Sequence, residues 1–226
     1  MGRKGNKRHM KSLNSPAYYA ISKKHNKYTT KQTCGKHSKE RSIPLLLFIR
    51  DKLNLSDRKV EIIKIIKQGF IRVNGKIIKD YRFPIGLNDI INIDKLNKSY
   101  KVSIDTKSHF AFEEIKGNET LSRICKVIRK YKVKNDIIMI GLHDGTNIKG
   151  SKDINVNDSV IITNDKKISK VLALKKNAKC FIISGVHVGN IGTLNEIKNL
   201  ENKKQVIIKK ENNEFETSLK NIMIIE

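Results

Sequence analysis

The first 41 residues carry twelve Lys and Arg against a single acid, Glu40, with few large aliphatic side chains beyond Leu13 and Ile21. A segment of that composition buries too little apolar surface to offset the entropy of ordering its own backbone. It is expected to order only against a polyanion. The remainder of the chain is also basic: 35 Lys and Arg stand against 21 Asp and Glu there, within a formal total of +25. Such a balance suits a partner that presents phosphates along an extended surface, because each phosphate neutralised releases condensed counterions.

Other classes are disfavoured by composition. No apolar run is long enough to span a bilayer and no signal-peptide core follows Met1, so an intracellular, cytoplasmic location is expected. Three widely spaced cysteines, Cys34, Cys125 and Cys180, do not make a disulfide scaffold. Cys34 and His37 form a lone Cys-x-x-His without the second pair that a zinc site needs. An aromatic fraction of 6% with no Trp argues against rows of stacking platforms for single strands.

Beyond the arm the pattern becomes helical. Ser42 can cap and Pro44 suits a first turn, with Leu45, Leu46, Phe48, Ile49 and Leu53 recurring at helical spacing to about Leu55. Ser56 is placed to cap a second helix in which Ile62, Ile63, Ile65 and Ile66 share one side and Lys64, Lys67 and Gln68 the other, until Gly69 stops it. Phe70 to Val73, then Asn74-Gly75, then Lys76 to Lys79 predict a two-residue hairpin. Two short basic helices followed by such a hairpin resemble the S-four type of RNA-binding motif. A basic helical hairpin with merely solvated lysines would carry the same residues.

After the turn Phe83-Pro84-Ile85-Gly86, short strands are expected at 89–93, 100–104, 110–112, 123–128, 137–140 and 159–162. Turn residues Lys116-Gly117-Asn118, His143-Asp144-Gly145 and 155–158 separate several of them. The segment 180–183, the break Ser184-Gly185, Gly189-Asn190-Ile191-Gly192 and a return strand at 205–209 resemble a KOW element. Strands at 214–219 and 222–225 would complete its small barrel. A dinucleotide loop is the rival for these glycines, but their spacing is wrong and no ribose-binding acid follows.

No catalytic set is apparent. His143-Asp144 is the one close acid/base pair considered, and Asp144-Gly145 is explained as a turn. His187 reads as a loop residue or an RNA contact. Glu113-Glu114 lacks metal-ligand company, and His9, His25 and His37 lie in the basic arm.

The order of these pieces, from Gly2-Arg3-Lys4-Gly5-Asn6-Lys7-Arg8-His9-Met10-Lys11 through Tyr81-Arg82-Phe83-Pro84-Ile85-Gly86 and Leu142-His143-Asp144-Gly145 to the glycine-rich segment, closely resembles the small-subunit ribosomal protein S-four-e family of archaea and eukaryotes. The resemblance covers essentially the whole chain. It implies an α+β, multidomain protein: a basic N-terminal extension (1–41), an S-four-like RNA-binding domain (42–95), a central β-rich domain (96–173) and a KOW-containing SH3-like barrel (174–226). It implies a structural constituent of the small ribosomal subunit, bound to small-subunit rRNA and neighbouring ribosomal proteins, with no cofactor, no metal, no catalysis, no membrane and no homo-oligomer.

The family's RNA-binding positions would fall at Arg3, Lys4, Lys7, Arg8, His9 and Lys11, at Arg41, at Arg50, Arg58, Lys64, Arg72, Asn74, Gly75 and Lys76, and at Gly185, His187, Gly189, Asn190 and Gly192. Many members carry Trp near Tyr18 or Tyr19, and the longer basic tail of eukaryotic members is absent after Glu226, as expected of an archaeal protein or a reduced eukaryotic one. The alternatives are a free RNA-acting factor or RNA-modifying enzyme with an S-four-type module, and a KOW-bearing transcription factor.

Overall fold

Short β-branched runs broken by Asn, Asp and Gly set the texture of the fold. The computed structural model describes residues 9–116, 121–133, 136–200, 203–210 and 213–226, and these are mostly strand. Arg3, Lys4, Lys7 and Arg8, and Gly117-Asn118 of one expected turn, lie outside the described residues. By packing, the chain divides into two units, one of Met1–Val102 with Phe112–Glu114 and one of Ser103–Ala111 with Ile115–Glu226.

In the first unit, helix formation at 45–55 is more limited than its periodicity suggests. An α-turn at Leu45–Leu47 passes directly into a π-turn at Phe48–Lys52. The reason is visible in burial: Leu45 through Ile49 are all fully enclosed, so the segment has no solvent side and is not a simple amphipathic helix. Ser42 does not cap it. It lies in the strand Ser42–Pro44, paired with Pro84–Gly86, and its hydroxyl donates to Ser38 O at 2.7 Å.

The second helix, Lys59–Lys67, buries Ile62 and Ile66 as expected, while Ser56 Oγ accepts from the Arg58 N–H at 3.2 Å one turn ahead of it. Strands Ile71–Val73 and Lys76–Ile77 pair around Asn74 (φ 51°) and Gly75 (φ 76°), the left-handed pair that a two-residue turn demands. The sheet continues through Ile90–Ile93, Lys98–Ile104 and Phe110–Ile115. Strands expected in the central domain therefore extend the sheet that the hairpin begins, because Ile90–Ile93 pairs in unbroken register with residues 98–101. Phe48 fills the core beneath it, its ring 5.7 Å from that of Tyr100 and 4.4 Å from that of Phe112.

The arm behaves differently from the expectation that it orders only on a polyanion. Its residues from Met10 onward are folded: Met10–Lys11 pairs with Tyr28–Thr29, Tyr19 is fully buried with its hydroxyl on Gln32 Oε1, and His37 is buried within the S-four-like module. Backbone and polar side chains supply the contacts that its aliphatic residues cannot, as where Thr33 N–H donates to Arg82 O at 3.0 Å.

The second unit holds two five-stranded antiparallel sheets. The first runs Asn147–Lys149, Ile138–Leu142, Ser122–Lys132, Ser159–Thr163, Ile168–Leu172 around Cys125, Val127, Ile140, Ile148, Val160 and Ile162. Ser122–Lys132 pairs with Ser159–Thr163 over its first half and with Ile138–Leu142 over its second, bending at the bulge between Val127 and Arg129. The second sheet runs Asn213–Ser218, Lys203–Lys210, Ile191–Leu200, Lys179–Ile182, Ile222–Ile224 over Cys180, Ile182, Leu194, Val206 and Ile208.

Two expectations change here. Backbone pairing among the described residues leaves this last sheet open, with Asn213–Ser218 and Ile222–Ile224 as its edges, so hydrogen bonding does not close it into the expected small barrel. The two sheets also share a core, for Leu172 packs among Cys180, Ile182 and Leu194.

Candidate nucleic-acid interface

Helix spacing places Lys64 and Lys67 away from buried Ile62 and Ile66, Lys59 is exposed at the helix start, and strand alternation exposes Arg72 between buried Ile71 and Val73. Lys76 and Lys79 are exposed across the turn. The two elements meet at Gly69 (φ 83°), where a Cβ would lie 3.3 Å from Ile77 Cγ2 and 3.9 Å from Lys79 Cε. Helix and hairpin, in contact at Gly69, thus carry six exposed cations, with Arg72 and Lys76 on opposite faces of the hairpin. Tyr81 adds a ring flanked by Lys59 Nζ at 5.2 Å and Arg82 Cζ at 5.6 Å.

Some expected contacts are already engaged. Arg50 grips Asp51 through Nε at 2.6 Å and an Nη at 3.1 Å, and Arg72 Nε reaches Asp94 at 3.1 Å. Both pairs are partly exposed, where such bridges contribute about 0–1 kcal/mol, so a phosphate can displace the carboxylate at little cost. Arg41, Arg58, Lys11 and His9 are exposed, Arg41 at the end of a short 3-10 turn.

Asn74 is not free for RNA. It is buried, its amide donates to Asp89 Oδ1 at 2.6 Å, and its carbonyl oxygen accepts from Ile90 N–H at 3.0 Å. Asp89 in turn accepts from Gly86 N–H at 3.0 Å and lies 2.8 Å from His37 Nε2. Burial alone would raise this carboxyl, but the His37 charge and the three hydrogen bonds outweigh it and hold Asp89 well below the usual carboxylate range. Gly86 makes the room, since any side chain there would strike the His37 ring. With His37 turned to Asp89 and Cys34 exposed, the Cys-x-x-His spacing has a purely structural explanation.

The glycine segment in the second unit is shaped by its own chain. Gly189 (φ 80°) passes so close to the 105–106 backbone that a Cβ would lie 2.6 Å from Asp105 C and Thr106 N, and a Cβ on Gly192 would lie 2.6 Å from Ile208 Cγ2. These two are glycine for internal packing, whereas Gly185 (φ 104°) is an exposed turn residue. Asn190 closes the loop, its amide donating to His187 O at 3.1 Å and its Oδ1 accepting from Lys210 Nζ at 3.1 Å, while the His187 ring sits 4.6 Å from Phe215. Gly189→Ala is expected to lower the midpoint of thermal unfolding by several degrees, through strain at positive φ and the clash with 105–106. An unchanged midpoint by calorimetry would refute that account.

His143-Asp144 is a turn in the structure. Buried Asp144 accepts from Thr146 N–H at 3.0 Å, Thr146 Oγ1 at 2.6 Å and Arg123 at 2.7 Å; burial opposes its ionisation, yet these partners keep its carboxyl below the ordinary value. His143 Nδ1 accepts from Lys126 N–H at 3.2 Å. Both carboxylate oxygens of Asp144 and Nδ1 of His143 thus serve the turn and its neighbours. Among the described residues no helix is long and apolar enough to cross a membrane and no cluster of three or more His, Cys, Asp or Glu could hold a metal ion.

Sequence reasoning missed the His37–Asp89 pair, buried Lys126 and the rings of Tyr28 and Tyr81. Only the aromatics flanked by cations, Lys27-Tyr28 and Tyr81-Arg82, leave a local trace in the sequence.

Comparison with known proteins follows the same order along the chain. Residues 4–40 match the RS4NT (NUC023) domain, 44–91 the S4 domain and 96–168 the ribosomal family S4e. The small ribosomal subunit protein eS4 of Archaeoglobus fulgidus is 37% identical over 84% of this chain and 80% of its own. That of Methanocella arvoryzae is 32% identical over 96% of this chain and 93% of its own. The crystal structure of the 30S ribosomal protein S4e from Thermoplasma acidophilum superposes with a TM-score of 0.72 at 28% identity, covering 82% of this chain and 95% of that one. With all three family segments in place and near full-length relatives above 30% identity, the chain belongs to the S4e family of ribosomal proteins.

Proposed function

We propose that this protein is a structural constituent of the small ribosomal subunit that binds and stabilises small-subunit rRNA. The observation that carries this reading is the set of exposed Lys59, Lys64, Lys67, Arg72, Lys76 and Lys79 on a helix and hairpin in contact, within the segment that matches the S4 domain. Cations so spaced suit the phosphates of a folded RNA, with bases left to shape and pairing. Arg3, Lys4, Lys7, Arg8, His9, Lys11, Arg41, Arg50 and Arg58 would extend the contact, and Gly185 with His187 would form a second one. Asn74, Gly189 and Asn190 shape their loops, and Gly192 lets neighbouring strands pack closely. The four segments, 1–41, 42–95, 96–173 and 174–226, are read as extension, S4 module, central β part and KOW-type element. The RNA-bound form works in the cytoplasm as part of the subunit, alongside neighbouring ribosomal proteins and without self-association.

Sedimentation of lysate through a gradient tests the core of this: the protein is expected with small subunits, and recovery only at the top of the gradient at moderate magnesium and salt would overturn it. Binding to rRNA should weaken steeply with salt, the log–log slope growing by about 0.7 to 0.9 per phosphate contacted. Arg72→Ala or Lys76→Ala is expected to lower that slope by about one such step. A slope unaltered by both substitutions would remove the hairpin from the interface.

A further inference from the structure

The extension contains one aromatic ring that the fold leaves in solvent with cations around it. Met10–Lys11 pairs with Tyr28–Thr29 in the register Met10 to Thr29 and Lys11 to Tyr28. Strand alternation then sends Met10, 5% exposed, into the protein and sets Lys11 and Tyr28 on the outer side. Tyr28 is 53% exposed, whereas Tyr19 and Phe48 are fully enclosed and Phe110 nearly so. Lys27 Nζ lies 5.7 Å from the centre of the Tyr28 ring and the His9 ring 5.8 Å from it. Ser12 N–H donates to Lys27 O at 3.1 Å, which prolongs the ladder and fixes the backbone beneath the ring.

A flat ring held on a paired strand, half in water and beside an ammonium group, offers a π-face and a phosphate partner a few ångströms apart. A nucleotide presents the same two groups. Bases inside a duplex keep their faces to themselves, so the matching ligand is a base splayed out of a loop or bulge. Resting on the reading of the chain as an rRNA-binding protein, we infer that Tyr28 is the stacking platform for one unpaired nucleobase of the RNA, with Lys11 and Lys27 holding the adjoining phosphates.

The chain has no Trp, so Tyr28→Trp introduces a single indole reporter. Titration of that full-length variant with a small-subunit rRNA transcript is expected to quench the indole, and titration with a fully paired RNA duplex is not. Tyr28→Ala is expected to weaken binding to the transcript about 5- to 150-fold, the loss typical of one stacked base, with the salt slope unchanged because no phosphate contact is removed. Tyr28→Phe should restore affinity. Unaltered thermal unfolding of the three variants, expected for so exposed a side chain, separates this from misfolding. If wild type binds the transcript and Tyr28→Ala binds it equally well, or if its salt slope falls, the stacking role is overturned while the RNA-binding reading survives. Absence of wild-type binding would overturn both.

Discussion

Lys126→Ala is expected to cost the second unit about 3 to 5 kcal/mol, measured by denaturant unfolding, because it strands several buried acceptors at once. The Lys126 side chain is 4% exposed, and its ammonium donates to Leu219 O at 2.8 Å, Lys220 O at 3.1 Å and Ile222 O at 2.7 Å. Those carbonyls belong to the short 3-10 turn Leu219–Asn221 and the start of the strand Ile222–Ile224. Three convergent acceptors match the three hydrogens of an ammonium group, and a planar guanidinium cannot aim its donors at one point. Lys126→Arg should therefore fail to rescue. Lys126→Met keeps the apolar stem and removes only the donors, so it is expected to show most of the loss. A Met variant as stable as wild type would mean that the three bonds contribute nothing net. Burial pushes the nearby Cys180 thiol up to about 11 against the opposing pull of the Lys126 charge.

What could be read in advance follows from how local each determinant is. The Asn74-Gly75 hairpin was legible because its backbone demands φ > 0 at both turn residues, and few residue pairs satisfy that. The helix Lys59–Lys67 and most strands were legible from spacing. Strands Ile168–Leu172 and Asn147–Lys149 escaped because they are edges: Ser169, Lys170 and Val171 are exposed in succession, and only pairing with Ser159–Thr163 makes them strand. Leu45 to Ile49 misled in the opposite sense, since helical spacing cannot say that a segment will be enclosed on every side. In the interface the exposed cations were legible as charge. Their neighbours were not, because Asp89 lies 52 residues from His37 and Lys126 lies 93 from Leu219, and no local pattern announces such a pair.

Asp89→Ala is expected to cost the first unit about 3 to 5 kcal/mol, since it leaves buried His37, the Asn74 amide and the Gly86 N–H without their common acceptor. His37→Ala should cost a similar amount. The double variant should lose less than the sum, because each single change already breaks the same buried pair. The pair also sets an acid limit. Asp89 stays ionised in the folded chain well below its ordinary value, whereas the unfolded chain takes up a proton as pH falls through about 4. Its contribution is thus fully present above that pH and is lost progressively below it. Urea midpoints of wild type should fall between about pH 5 and pH 2, and Asp89→Asn should flatten that part of the profile. Deleting residues 1–41 takes His37 with it, so the remainder should be destabilised much as by His37→Ala. Equal urea midpoints for the truncated and full-length chains at neutral pH would show that the extension merely lies on the module. A large loss would make it part of the module's fold before any RNA is bound, with Tyr28 and its neighbouring cations held ready on a preformed strand.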